Sequence, residues 1–196
     1  YAIATGNPYE PIVLTYDSTF LRIFGVLEMN LFDLVKIDGA IDFRLSEKEG
    51  LTAFADVSVQ IGPDSMGFKS QATGLLVINS GGVAMRMSLG LELDLGVANL
   101  DAKFELNLNS FGKRIVYDVP EVFWDVVKFD TKDDLSTPQR EDKQYAIEAY
   151  PPGKESVKDK WTGPYVALTG KGNMDLMGLL TLKGDFAVIA AFPKDD

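Results

Sequence analysis

The sequence predicts an all-β fold, mainly antiparallel, in which amphipathic hairpins lie side by side and form a tall curved sheet of a sandwich-like or solenoid-like kind. Three observations predict it. Nearly every patterned segment alternates apolar and polar residues with a period of two, which is the periodicity of a half-buried β-strand. The alternating runs occur in pairs joined by short turns, as in hairpins, and part of the pattern recurs about 144 residues further along the chain.

The clearest hairpin is predicted for residues 85–109. Apolar side chains occupy the odd positions from Met85 to Leu95 and, after a turn at residues 96–99, the even positions from Ala102 to Leu108. Each arm of about ten residues would be roughly 33 Å long, which is long for a strand of a globular protein. Because each large side chain gains roughly 1.5–3 kcal/mol on burial, this apolar stripe must be covered by something other than water.

The chain before this hairpin follows the same pattern. Residues 1–19 predict an extended connector with one edge strand near residues 12–15. Residues 23–45 predict a hairpin that turns at residues 32–34, because the odd positions on both sides of the turn are apolar or glycine. The charged residues between those apolar positions are expected on the solvated outer face: Lys36, Asp38, Asp42 and Arg44.

The other strands are predicted from shorter patterns. Residues 53–61 and 72–78 each predict one strand, with a loop at residues 62–67 between them and a tight turn at residues 79–82. Beyond residue 119 the alternation stops, and residues 120–144 predict an irregular connector. Val122, Val126 and Phe129 would also suit one short helix there. Alternation returns in residues 165–176 and 180–188, which predict a last hairpin.

An internal repeat underlies this order. The tripeptide at residues 1–3 recurs at residues 145–147, and with one inserted residue the hairpin at residues 20–43 aligns with residues 165–188 at an offset of 145. The identical pairs in the two hairpins are Gly25 and Gly170, Met29 and Met174, Leu31 and Leu176, Leu34 and Leu179, and Gly39 and Gly184.

The repeat predicts how the chain is divided. Residues 1–144 are expected to be one unit, with connector 1–19, hairpin region 20–119 and irregular connector 120–144. Residues 145–196 are expected to start the next unit. Since the chain begins at Tyr1 and stops soon after a strand, it is expected to be an excerpt of a longer polypeptide.

Two segments carry a resemblance to a known kind of protein. Residues 165–188, with their glycines and alternating strands, and residues 98–120 resemble the units of very long repetitive bacterial cell-surface and secreted proteins, which are adhesin-like. The resemblance implies a structural or adhesive segment of a giant extracellular chain, often beside calcium-binding repeats. It implies no catalytic residues.

The composition excludes several classes of function. With 29 acidic against 19 basic residues the net charge is -10, which repels nucleic acid. The chain has no Cys and no His, so thiolate chemistry and the usual imidazole base are missing, and we predict that it is not an enzyme. No apolar run approaches the eighteen residues that a spanning helix needs.

One candidate metal site is present in the sequence. Asp130, Asp133 and Asp134 would supply oxygen ligands to calcium from a loop. The spacing lacks the glycine and terminal Glu of an EF-hand loop, and acidic loops are more often simply solvated. No other cofactor is expected.

The cover of the apolar stripe decides between two functions. The stripe includes methionines that would suit either a packed core or a trough for acyl chains: Met29, Met85, Met87, Met174 and Met177. If the cover is protein, from residues 57–61 or from the next repeat, the chain is a rod-like structural segment whose partners are neighbouring repeats. If the cover is lipid, it is a lipid-carrying β-groove. We favour the first.

Aromatic residues near the connector also have two interpretations. They would either seal the end of the sheet, which is the more common arrangement, or form a surface for sugars or a partner protein: Phe123, Trp124, Phe129, Trp161 and Tyr165.

Overall fold

The structure is a computed structural model that describes residues 20–63, 66–127, 143–154, 161 and 163–192, and the backbone of residues 2–3 and 12–13. Twelve strands are described, in chain order: β1 Ala2–Ile3, β2 Ile12–Val13, β3 Phe20–Leu31, β4 Val35–Ser46, β5 Gly50–Ile61, β6 Gly67–Asn79, β7 Gly82–Asp94, β8 Ala98–Asn109, β9 Ile115–Asp118, β10 Gln144–Ile147, β11 Tyr165–Leu176 and β12 Leu180–Ala191.

Eight long strands form one open antiparallel sheet, so the all-β prediction is confirmed. Their spatial order is β3, β4, β5, β6, β7, β8, β11 and β12. Neighbours in this sheet are also consecutive in sequence except at one place, where residues 110–164 intervene between β8 and β11. Two small antiparallel pairs, β1 with β2 and β9 with β10, complete the described strands.

The register of the sheet has no bulge, so strands of twelve or thirteen residues stand level with one another. Across β4 and β5, for example, the pairs run from Val35 opposite Ile61 to Ser46 opposite Gly50. One-to-one pairing keeps each side chain on the same face as the residue opposite it. The sheet therefore has two chemically distinct faces.

The first face, called here the apolar face, consists of the odd-numbered residues of β3, β4, β5 and β7 and the even-numbered residues of β6, β8, β11 and β12. Six positions in each strand belong to it, and Ser70 is the only one with a polar side chain. One row across the sheet illustrates its composition: Leu27, Gly39, Val57, Ala72, Leu89, Phe104, Gly170 and Phe186.

The opposite face, called here the packed face, carries the buried core. The sheet contributes Phe54 of β5 and Leu75 of β6 to this core. Three aromatic residues from outside the sheet pack against them: Tyr117 of β9, Tyr145 of β10 and Phe123. Residues 110–164 between β8 and β11 are called here the connector, and their described parts thus fold back over the packed face. A 3₁₀ turn at Glu121–Phe123 lies within the segment that would suit a short helix, and Phe129 lies outside the described residues.

Two expectations from the sequence are corrected. Val57, Val59 and Ile61, expected on a layer that covers the apolar stripe, lie on the apolar face itself as part of the same sheet. Strand β6 begins at Gly67, earlier than predicted, because Ser70 interrupts the apolar alternation at the strand's start. The first error concerns which segments join one sheet, and the second concerns where a strand begins.

Candidate functional site

The apolar face is the most unusual surface of the described structure. Large side chains from edge to edge remain exposed on it, including Ile23 at 54 %, Met87 at 51 % and Leu182 at 52 %. The buried hydrophobic cluster lies on the other face. The described residues therefore leave the apolar stripe without a protein cover.

The size of this face makes it exceptional for a monomer. Eight strands at about 4.8 Å spacing and twelve residues at about 3.3 Å rise give an area on the order of 1,500 Å². The largest apolar patch on a typical soluble monomer is about 300–600 Å². The face is therefore expected to be an interaction surface.

The four methionines Met29, Met85, Met87 and Met174 lie on the apolar face, as the alternation predicted. Met177 instead lies in the turn between β11 and β12, with a φ of 54°.

The first and last hairpins of the sheet have the same local structure at an offset of 145. Adding this offset to the bounds of β3 and β4 gives the bounds of β11 and β12 at all four ends. Both turns have positive φ at equivalent residues, Phe32 and Asp33 in one and Met177 and Gly178 in the other. The agreement extends from sequence identities to backbone conformation.

Hydrogen bonds in the two turns are equivalent as well. The amide of Leu34 donates to the carbonyl of Leu31 at 3.0 Å, and that of Leu179 donates to Leu176 at 2.9 Å. A side chain also supports each turn at the same position. Asn30 Oδ1 accepts from the amide of Asp33 at 3.0 Å, and Asp175 Oδ1 accepts from the amide of Gly178 at 3.1 Å.

The two hairpins differ in what lies beside them. Strand β11 pairs with β8 along its whole length, whereas no described strand pairs with the equivalent edge of β3, which is called open here. Strand β4 pairs with β5 along its whole length, whereas the equivalent edge of β12 is open in the same sense. Both open edges are long and lack Pro and bulges, the devices that commonly protect an exposed edge.

A buried carboxylate on the packed face joins the sheet to the connector. Asp42 accepts from Arg22 Nε and Nη2, each at 3.0 Å, from Arg44 Nε at 2.9 Å and from the Tyr117 hydroxyl at 2.8 Å. Burial raises the pKa of Asp42, but the hydrogen bonds from Arg22, Arg44 and Tyr117 outweigh it, so the pKa lies below its ordinary value. The group stays ionised and holds β9 against the sheet.

The sequence had placed Asp42 on a solvated outer face, and this is wrong. Its side chain is fully buried because Tyr117 of the connector lies over it. Burial also raises the pKa of Tyr117, and the hydrogen bond to Asp42 raises it further. No local pattern around Asp42 signals this, since an aspartate between apolar strand residues ordinarily faces water.

A second polar contact fixes the point where the connector returns to the sheet. The Asn109 side-chain amide donates to the carbonyls of Lys113 and Glu148, both at 2.8 Å, and the Tyr165 hydroxyl donates to the same Glu148 carbonyl at 3.0 Å. The end of β8 and the start of β11 are thereby joined through one backbone group. This contact sets the position at which β11 adds to the sheet.

The aromatic residues do not form one exposed surface. Phe123 is fully buried against the packed face, Tyr165 is buried beside the connector, and Trp124 is partly exposed and donates its indole N–H to the Val119 carbonyl at 2.9 Å. Trp161 donates to the Gly163 carbonyl at 2.8 Å. Phe123 thus packs into the core on the packed face, and the sealing of the end of the sheet stays a prediction.

The predicted calcium ligands Asp130, Asp133 and Asp134 lie outside the described residues, so the calcium site stays a prediction. Among the residues that are described, no group of acidic, His or Cys side chains is placed to hold a metal ion. Nor does any helix in that part of the chain have the length and apolarity to cross a membrane.

Comparison with known proteins returned no relatives. The chain matches no protein-family model, no curated protein and no solved structure.

Proposed function

We propose that the chain is a structural segment of a long repetitive protein, secreted or held at the cell surface, whose β-sheet continues from one repeat into the next. One observation supports this most directly. Strand β11, the equivalent of β3, is hydrogen-bonded to β8 along its full length, so the hairpin of a second copy extends the sheet of the first. In this arrangement the neighbouring repeats are the principal partners, as in other solenoid-like proteins.

The physical role of such a segment is mechanical. A sheet that continues through every copy has backbone hydrogen bonds across each junction, and the connector of each copy locks its own sheet through groups such as Asp42 and Asn109. Length is then gained by adding copies. The lateral extent of one copy, six strands at about 4.8 Å, is roughly 29 Å.

A chain with two copies tests this proposal. It consists of residues 1–191 followed by residues 47–196, so that Glu47 follows Ala191 as it follows Ser46 in the sequence. We expect one cooperative unfolding transition with a midpoint roughly 5 °C or more above that of the single chain, because nearest-neighbour contacts add stability in repeat proteins. Thermal unfolding followed by circular dichroism measures it.

The control joins two complete 196-residue chains through a flexible Gly/Ser linker, so two copies lie in one polypeptide but the strands do not follow one another in phase. Equal midpoints in the two chains, or failure of the two-copy chain to fold, would contradict the proposal.

A second candidate function, a lipid-carrying groove, is favoured by the apolar face. The apolar face of the eight strands offers a polar ligand one hydrogen-bonding side chain, Ser70, and otherwise only the apolar contacts that suit acyl chains. A continuous sheet would extend this surface from copy to copy. The occupant in this case is the acyl chains of membrane phospholipids.

Native mass spectrometry of the chain purified from cells without detergent, followed by organic extraction, tests the second candidate. If the face carries lipid, near-stoichiometric phospholipid is expected, and Leu91→Asp should remove most of it by placing a charge on the apolar face of β7. Gly90→Asp is the matched control, because it adds the same charge on the other face, where the nearest atom to a new Cβ is the Gln71 carbonyl oxygen at 3.9 Å. Protein free of lipid would remove this candidate.

A further inference from the structure

We propose that the two open edges of the sheet take different strands: the edge of β3 takes β8 of a preceding copy, and the edge of β12 takes β5 of a following copy. The inference rests on the proposed function and adds to it the identity and register of the strands that meet. The observations behind it are two pairs of glycines at equivalent positions of the first and last hairpins, and the atoms that surround each glycine.

The first glycine pair is Gly39 and Gly184. A Cβ on Gly39 would lie 2.8 Å from the Asp56 carbonyl oxygen and 3.1 Å from Val57 Cγ2, both on the neighbouring strand β5. Glycine is therefore required at this position of β4 by the close approach of β5. Around Gly184 no atom of the described residues lies within 4 Å, because the equivalent edge of β12 has no described neighbour. The need for glycine there arises once a strand like β5 is present.

The second glycine pair is Gly25 and Gly170. A Cβ on Gly170 would lie 3.1 Å from the Phe104 ring of the neighbouring strand β8, and the Phe186 ring of β12 is nearer still. Within the described part of the chain, no atom lies within 4 Å of a Cβ on Gly25, and no strand pairs with the edge of β3 beside it. The space over Gly25 fits the Phe104 ring of a preceding copy in the way that Gly170 accommodates Phe104 within this chain.

The two glycine pairs give complementary results. Gly39 is crowded by its neighbouring strand β5, and Gly170 meets Phe104 of its neighbouring strand β8 as well as the closer Phe186 ring of its own hairpin, where Gly25 has Ile41 opposite it. Their equivalents Gly184 and Gly25, whose neighbouring strand is missing, meet no described atom within 4 Å. Glycine weakens a strand when nothing requires it, since it costs conformational entropy and packs no side chain. Its presence at both uncrowded positions is explained by strands that arrive from adjoining copies.

The registers follow from pairings already present. Residue Gly170 stands opposite Phe104, so Gly25 is assigned to Phe104 of a preceding copy. Residue Gly39 stands opposite Val57, so Gly184 is assigned to Val57 of a following copy. The same alignment assigns a hydrogen bond at the turn. The Met177 amide donates to the Val97 carbonyl at 2.9 Å, so the Phe32 amide is assigned a hydrogen bond to the Val97 carbonyl of a preceding copy.

The decisive experiment compares one substitution in two settings. In the single chain, Gly184→Ala is expected to leave the unfolding midpoint unchanged or to raise it slightly, because the new Cβ meets nothing. In the two-copy chain the same substitution is expected to lower the midpoint by several degrees, because β5 of the second copy then approaches Gly184 as β5 approaches Gly39. Gly39→Ala, which should lower the midpoint in both chains, is the positive control.

A disulfide tests the register independently, since the chain contains no Cys of its own. Phe43 stands opposite Ala53, so Val188→Cys in the two-copy chain should cross-link with Ala53→Cys of the second copy under mild oxidation. Val188→Cys with Val57→Cys of the second copy is four residues out of register and should remain reduced.

The outcomes separate the edge assignment from the function on which it rests. A two-copy chain that unfolds cooperatively but tolerates Gly184→Ala, or that cross-links only in the shifted pair, overturns the edge assignment and leaves the repeat function standing. A two-copy chain that fails to fold, or whose copies unfold independently, overturns both. Loss of stability with Gly184→Ala in the two-copy chain alone, together with the in-register cross-link, supports the assignment.

Discussion

Replacing Phe54 by alanine is expected to lower the free energy of unfolding by about 3–5 kcal/mol, the usual cost of removing a buried phenylalanine. Phe54 is 2 % exposed at the centre of the packed face. Its ring stacks on Tyr117 with centroids 4.8 Å apart and meets Tyr145 edge-on at 5.8 Å, so its loss leaves a cavity between the sheet and both connector strands. Equilibrium unfolding in urea measures the change.

Phe24→Ala is the matched control for this prediction. Phe24 is on the same face of the sheet, but it lies in edge strand β3, outside the buried core cluster, and is 54 % exposed. Its main described contact is with the Arg22 guanidinium, 4.5 Å from the ring centroid. We expect a change of about 1 kcal/mol or less. Equal effects of the two substitutions would show that the connector does not stabilise the sheet through Phe54.

Asp42→Asn is expected to cost about 2–4 kcal/mol at neutral pH. The substitution removes the charge that two arginines and the Tyr117 hydroxyl share, and hydrogen bonds to charged groups are the stronger ones. The expected loss of stability does not exceed this range because the Arg22 and Arg44 side chains are about one-third exposed and can turn to water. Asp38→Asn, on the same strand at an exposed position, should change stability by less than about 0.5 kcal/mol.

The dependence of the Asp42 effect on pH has a definite sign. Because the pKa of Asp42 is lower in the folded protein than in the unfolded chain, its contribution is present above the unfolded value of about 3.9. It is lost as the pH falls through the folded-state pKa. The stability difference between the native chain and Asp42→Asn should therefore be constant near neutrality and smaller at pH 3. A difference that grows in acid would contradict the assigned network.

The sheet itself could be predicted from the sequence in considerable detail. The alternation at residues 85–109 and 23–45 identified two hairpins, with the second turn at residues 32–34 as the structure has it. Such patterns are local, because side chains on a strand point to alternate faces regardless of what lies beyond. Where one residue broke the pattern, as Ser70 did in β6, the predicted strand was too short.

The candidate site could be predicted only in part. The apolar stripe and the equivalent glycines are visible in the sequence. The sequence did not show that residues 57–61 belong to the same face as the stripe, because the order and register of strands depend on pairings between distant segments. The acidic loop at Asp130, Asp133 and Asp134 remains a prediction from composition.

The sequence alone therefore determined most of the long strands, the two chemically different faces and the similarity of the first and last hairpins, because each depends on periodicity or identity along the chain. Only the tertiary structure decided that the described part of the connector covers the packed face and that none of the described residues covers the apolar face. That choice depends on Tyr117 and Tyr145 reaching Phe54 and Asp42 from far along the chain. The tertiary structure also decided which strands lie at the edges of the sheet, since a strand's neighbour is fixed by non-local hydrogen bonds and not by the strand's own residues.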